Sequence, residues 1–526
     1  MDPMVNRMRP KPRRVGQVCA AVALLGLLVP SAGRAAPAKD SPVYGGTLTL
    51  ANQVDADSLD PAGNPVNEVI WLDQNYYEKL VQASPDGTSI QPQLATSWDT
   101  AKNGLTYTFH LRAAKFHNGA PVTAADVKYS LDRAIAYKGG WGFLVNAIKT
   151  ITATDTKTVT ISLSHPWAPL LADLAIYAMS IMPADLLKKQ GAKFFDHPIG
   201  SGPYEFVSWA KGSTITLQRN PLWWGPKPYL DTVKIVNVPN DTTRTLQLQG
   251  KQADVIENPP ANLLTQISAY PDLAVGLFPS TRVDFIQLDE HFAPFKDRLV
   301  RQAINYGIDR SAIIKIVFAG HATAATSFMP PMLDWNPSQK GYSYDLAKAK
   351  ALLAKSGYPH GFTCNLIEVS NDVAGNGAAV IMKSELAQIG VTVNIVDYEL
   401  ITAYAKMDEK NGNPPSQMGA RYWTNDIIDP DEVVSFAVDP QAGAHAFSTW
   451  YNDPVVTKLV HQAQVELDAA RRRALYYQIQ QISTDDAHLI NLYYSPYRYA
   501  QGNWVHGFHV SPIGVYQLDK IWMSAH

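Results

Sequence analysis

For most of its 526 residues the chain interleaves strand-like and helix-like segments with no linker, internal repeat or single-sign charge block to divide it. A single hydrophobic core stops growing near about 250–300 residues. A chain of this length therefore has to split into lobes, and without a linker those lobes have to be interwoven. Strands and helices mix without strict βα alternation up to residue 200, which predicts an α/β fold of mixed sheets flanked by helices.

The first 35 residues read as an export leader. A basic start (Arg7, Arg9, Lys11, Arg13, Arg14) precedes an uncharged run over 15–29 and a small-residue stretch, SAGRAA, that predicts cleavage after Ala35. Fifteen residues fall short of the roughly 20 that cross a bilayer, and no later run does better. Val15 and Gly16 after the arginine pair favour the general secretory route over twin-arginine export, and Cys19 is poorly placed for lipid attachment. A free periplasmic protein is expected. Only Cys364 remains after cleavage, so no internal disulfide can form and stability has to come from burial. The leader holds six basic side chains and one acidic one, so its removal turns 45 basic against 47 acidic into 39 against 46. That acidic balance, with no dense Lys/Arg stripe, argues against nucleic acid as a partner.

Three segments carry the local grammar. In the first, 105–111 alternates as a strand, Asn118-Gly119 is a turn, and Thr123 with Asp126 forms a capping box for a helix holding Val127, Leu131 and Ile135. Before it, Val66, Ile70, Leu72, Tyr76 and Leu80 space as a helix over 64–81. The second segment, IGSGPYEFVSWAKGSTITLQRNPLWWG from residue 199, reads as a hairpin around Lys211-Gly212-Ser213. Its Trp223 and Trp224 could stack on a ligand, but paired aromatics after Asn-Pro read first as core residues closing on a turn. In the third, Arg298, Val300, Ala303 and Ile304, then Ala347, Ala351 and Leu352, fall at helical spacing, with ends at Gly320 and Gly357.

Together these segments resemble the extracellular solute-binding protein family five, the dipeptide-, oligopeptide- and nickel-binding proteins that feed ABC importers. The resemblance runs from Tyr44 to the C-terminus. It implies a two-lobed periplasmic-binding-protein fold of class II type, with an extra subdomain inserted at about 75–200. Lobe I would comprise residues 40–283 and 498–526 and lobe II residues 284–497, closing on a ligand about the hinge.

The most telling polar cluster is ARYWTNDIIDPDEVVSF, residues 420–436. In relatives that bind peptides, a Trp and an Asp three residues on help form the site, the Asp pairing with the peptide's α-amino group; here those positions are Trp423 and Asp426. By its local sequence alone, Asp426 could equally be a turn carboxylate. Trp423 would supply a rigid wall, and the backbone from Thr424 onward could pair with an extended ligand. Arg421 is a candidate for a ligand carboxylate, or equally for a salt bridge. Asp429, followed by Pro430 and Glu432, has the pattern of a helix cap and reads as structural. Leu59, Asp60 and Pro61, Asn75 to Tyr77 with Tyr76 among them, and Tyr493, Tyr494 and Tyr497 are further candidates for lining, each of which could be packing.

None of the thirteen histidines sits in an HExxH pattern, and no GxSxG, Walker or GxGxxG motif is present. The chain is expected to be neither an enzyme nor a holder of a metal or cofactor. A monomer is expected that captures short peptides and hands them to a permease powered by a separate ATPase. Nickel complexes, opines, oligosaccharides and glutathione-like solutes are alternative ligands of the same fold, and a periplasmic chaperone is a different class of reading.

Overall fold

The computed structural model describes residues 41–63, 67–333, 335, 339–370, 372–409, 417–442 and 445–525. The leader lies outside these. Two large mixed sheets organise the chain. The first has seven strands in the order Leu273–Phe278, Tyr497–Gly502, Val255–Glu257, Thr47–Asn52, Thr232–Asn237, Thr214–Arg219, Tyr204–Ala210. Thr47–Asn52 runs parallel to both of its neighbours, whereas the outer strands pair antiparallel. The second has six strands, Thr323–Ala324, Leu489–Tyr494, Arg282–Leu288, Met418–Thr424, Phe362–Val369 and Val391–Tyr398.

The chain leaves the first sheet at residues 279–281 and returns to it at 495–496. These two crossings are stitched side by side. The Ser280 hydroxyl donates to the Ser495 carbonyl, and Ser495 Oγ donates to Asp284 at 2.8 Å. Thr281 donates to the carbonyls of Asn425 at 3.0 Å and Pro512 at 3.1 Å. Each sheet has its own apolar core, with Leu50, Val233 and Ile235 in the first and Ile286, Leu366 and Val393 in the second. A further cluster on the other face of the second sheet joins Val283 and Phe285 to Val433, Phe447 and Tyr476. Cys364 is buried in the second core.

Within the stretch between the first strand and residue 200 lies a four-stranded antiparallel sheet, Ala95–Thr100, Thr106–Leu111, Thr158–Leu163, Ile148–Ala153. Tyr107, Phe109 and Leu111 point inward and their Thr and His neighbours outward, as the alternation requires. The helix Ala124–Ala136 opens on the capping box: Thr123 Oγ1 accepts from the Asp126 N–H at 3.4 Å while the Asp126 carboxylate accepts from the Thr123 N–H at 2.9 Å. The first two of the segments that carry the resemblance lock together through His117. Its Nδ1 accepts from the Gly200 N–H at 3.2 Å and its Nε2 lies 3.2 Å from the Gly202 carbonyl. Burial pushes this imidazole down to about 4, so it is neutral with the proton on Nε2. Glycine is required at 200 because a Cβ there would sit 1.9 Å from the Tyr76 carbonyl. These identifying segments are scaffold.

The hairpin turns at Gly212, whose φ of +74° suits glycine. The helix expected over 64–81 is shorter among the described residues, running Asn67–Asp73. Asn75 ends it: its side-chain amide donates to the Trp71 and Leu72 carbonyls at 3.2 and 3.4 Å, and its oxygen accepts from the Leu518 N–H at 2.9 Å. A contact with the C-terminal tail, invisible to local periodicity, overrides the apolar spacing.

Candidate functional site between the two sheets

The strand Met418–Thr424 runs beside the strand Arg282–Leu288, Thr424 facing Arg282 in register. The chain then enters a tight turn over residues 425–430, held by two buried side chains. Asn425 donates to the carbonyls of Ile427 at 2.9 Å and Asp429 at 2.7 Å. Glu432 accepts from the N–H groups of Asp426 at 3.0 Å and Ile427 at 3.2 Å. Thus Glu432, expected to close a capping pattern on Asp429, anchors the turn instead. Asp429 has the structural role read from the sequence, but the helix begins one residue later than that reading, at Asp431. Asp429 accepts from the Asp431 N–H at 2.8 Å and takes both ends of the Arg472 guanidinium at 2.6 and 2.8 Å.

So held, the turn presents Asp426 half-buried. No hydrogen bond or ion pair from the described residues reaches its carboxylate, and burial pushes the group up to about 7. Its charge is felt by Tyr177, from the segment after the four-stranded sheet, and by Tyr497 at the returning crossing. Glu432 is pushed up further, by burial and by Asp426. Asp426 therefore lies between the two halves of the chain as a carboxylate lacking a cation.

Trp423 stands beside it in an aromatic group drawn from both halves. Its ring meets Phe436 at 4.7 Å and Phe447 at 5.4 Å from its own side. Trp141, on the short 3-10 turn Trp141–Val145, approaches at 6.5 Å from the other. Trp141 also packs on Tyr177 at 6.0 Å and Phe436 at 6.2 Å. A backbone bond from Ala168 N–H to the Gln464 carbonyl, 2.8 Å, joins the halves nearby. Thr424 is buried next to the Tyr497 hydroxyl, its side chain on the opposite face of the strand from Trp423.

The remaining expected lining residues are engaged elsewhere. Arg421 pairs with Asp408 at 2.5 Å through one end of its guanidinium and lies over the Tyr404 ring, within the second half. Asp60 grips Arg133 through both oxygens, one at 3.0 Å, and accepts from the Ala62 N–H at 3.1 Å. Leu59 is core, its carbonyl 3.4 Å from the Tyr77 hydroxyl. Tyr76 is fully buried, bonded to Asp73 and packed on Tyr77 at 4.7 Å. The Tyr494 hydroxyl accepts from the Ser327 N–H at 3.1 Å and donates to the Ser327 carbonyl at 2.8 Å, which pins the 326–327 loop. Trp141 and Tyr177 went unread; the Gly139-Gly140-Trp141-Gly142 run, a large ring set among glycines, was the available signal.

This arrangement can accept a cation. An unpaired carboxylate in a poorly solvated position is costly until a positive group pairs with it, and the neighbouring indole and phenol rings supply apolar walls. Among the described residues no group of three or more His, Cys, Asp or Glu is placed to hold a metal ion, and no helix is long and apolar enough to cross a membrane.

The profile of the Bacterial extracellular solute-binding proteins, family 5 Middle, matches residues 89–444. The dipeptide-binding protein of Escherichia coli (strain K12) is 29% identical over 478 residues, covering 85% of this chain and 88% of that protein. Heme-binding protein A of Haemophilus influenzae is 30% identical over 472 residues, covering 84% and 85%. Among solved structures, the ABC transporter-associated periplasmic binding protein DppA from Helicobacter pylori, in complex with peptide STSA, superposes with a TM-score of 0.84. Its identity is 31%, over 92% of this chain and 99% of that one.

Proposed function

The chain belongs to the bacterial extracellular solute-binding proteins of family 5, and from that premise we propose that it is the periplasmic substrate-binding component of an ABC importer, capturing short peptides. One lobe is built on the seven-stranded sheet and the other on the six-stranded sheet; closure about residues 279–281 and 495–496 encloses the ligand. Asp426 takes the peptide's α-amino group and Trp423 and Trp141 flank its first residue. The protein works as a monomer, leaves the leader behind on export, and passes its cargo to a membrane permease with a separate ATPase.

The observation that carries this reading is the Asp426 carboxylate, half-buried between the halves with no cation among the described residues to answer it. A free-amine peptide supplies that cation. The same charge would repel an anionic metal chelate, which places nickel complexes behind peptides as ligands. Affinity then comes mostly from termini and backbone, with side chains loosely read. A micromolar ligand corresponds to about −8 kcal/mol, within reach of a few charge-assisted bonds plus aromatic burial after ordering costs. Calorimetric titration with a dipeptide and its N-acetylated form is the test. Strong preference for the free amine supports the reading, and equal binding of the two overturns it.

A further inference from the structure

A cavity of about 200 Å³ lies within the first lobe. It is enclosed by the hairpin Val81–Ala83 and Ile90–Pro92, the Trp223-Trp224 turn and the C-terminal segment around residues 507–520. It shares no lining residue with the Asp426 site. We propose that this cavity is a separate ligand site for a compact oxyanion, a carboxylate or a phosphate, held by the Lys79 ammonium and the Trp223 indole N–H.

The argument starts from Lys79. Lysine is almost never fully buried unless paired, yet Lys79 is 2% exposed. Its ammonium carries three donors, and the described residues answer one of them, through Gln74 Oε1 at 2.6 Å. Its position is set by the backbone, because its N–H donates to Gln93 Oε1 at 2.8 Å and its carbonyl accepts from Leu94. Neighbouring Glu78 is also buried, but its carboxylate is committed to the Trp224 indole N–H at 3.0 and 3.2 Å. Burial pushes the Lys79 amine down to about 7, partly opposed by Glu78. An anion in the cavity would supply the missing acceptors.

The second donor is independent of the first. Trp223 Nε1 is buried and donates to no described residue. The wall carrying it is rigid: Trp223 packs on Trp224 at 4.5 Å, and the Arg112 guanidinium lies over the Trp224 ring at 3.4 Å. Of the charged groups on the rim, Asp519 and Lys520 answer each other at 2.8 Å, which leaves Lys79 as the lysine available to a ligand, with the His509 imidazole also on the lining. Two donors in a cavity of mixed polar and apolar lining with pre-set walls select acceptor-rich groups, and the small volume selects compact ones.

The test is thermal unfolding and calorimetry of the full protein at pH 6 with inorganic phosphate and, separately, acetate, each against potassium chloride of equal ionic strength. A saturable rise in melting temperature with either anion, weakened at least tenfold in K79M and several-fold in W223F, is the expected result. The anion that saturates assigns the chemistry. No response beyond chloride, or the same response in wild type and both variants, overturns the proposal. K79Q replaces K79M if the latter does not fold. Dipeptide binding, measured in parallel, should be unchanged in all three, so failure here and failure of the peptide reading remain distinguishable.

Discussion

Replacing Asp426 by Asn keeps the shape of the side chain and removes its charge. Truncating one partner of a buried charge-assisted pair costs about 2–5 kcal/mol, and each 1.4 kcal/mol is a factor of ten in Kd. D426N should therefore weaken binding of a free-amine dipeptide by roughly 30-fold to a few thousand-fold. It should change binding of the N-acetylated dipeptide little. The pH profile gives a second reading. In the unliganded protein the Asp426 carboxyl is pushed up to about 7 by burial, and only its ionised form grips an ammonium. Wild-type affinity should thus fall about tenfold for each pH unit below 7, whereas D426N should be flat there. Unfolding is controlled for by sign: a carboxyl raised in the folded state holds a proton that the unfolded chain releases above about 4. Its contribution to stability is lost as pH rises from that point through about 7. D426N lacks this loss, so at pH 8 it should melt no lower than wild type. Calorimetric titration from pH 5.5 to 8 with both peptides makes the measurement; equal losses for the two peptides, or a pH slope that survives in D426N, would refute the reasoning.

Other consequences concern the frame around the site. Asp429→Ala strips a buried guanidinium, Arg472, of its two-point partner, and should lower unfolding stability by about 3–5 kcal/mol in urea titrations. Asp173 is fully buried, accepting from Trp167 Nε1 at 2.7 Å, and burial followed by the charge of Asp431 raises its carboxyl well above the usual range. It costs stability increasingly as pH climbs above about 4, so D173N, which can still accept from Trp167, should gain over wild type more at pH 7.5 than at pH 4.5. Burial also pushes the Cys364 thiol up to about 12; it should stay inert to a disulfide reagent in the native protein and react once denaturant unfolds it.

The scaffold was legible where its causes are local. A capping box needs residues three apart, and Thr123 with Asp126 behaves as read. A hairpin needs alternation and a turn, and Gly212 supplies the turn. Asp429 was correctly assigned to structure because Pro430 marks a helix start, although the partner that holds it, Arg472, is 43 residues away. The helix over 64–81 was overread because its terminator acts through Leu518, 443 residues from Asn75.

By itself the sequence determined the family and the α/β class, and it marked Trp423 and Asp426 as candidates, one next to last in the strand Met418–Thr424 and the other inside the turn that follows. The family and class follow from short-range patterning in segments whose order along the chain is their signature, whereas the two candidates follow from the resemblance, Asp426 being by its local sequence alone equally a turn carboxylate. Tertiary structure alone decided which charged groups stay unanswered. Asp60 meets Arg133 from 73 residues on and Arg421 meets Asp408 from 13 residues back, while Asp426 meets no cation among the described residues. The physical reason is that a carboxylate becomes a grip for a ligand only by what surrounds it in space: partners that neutralise it, or rings and a second lobe that keep water away until a ligand arrives.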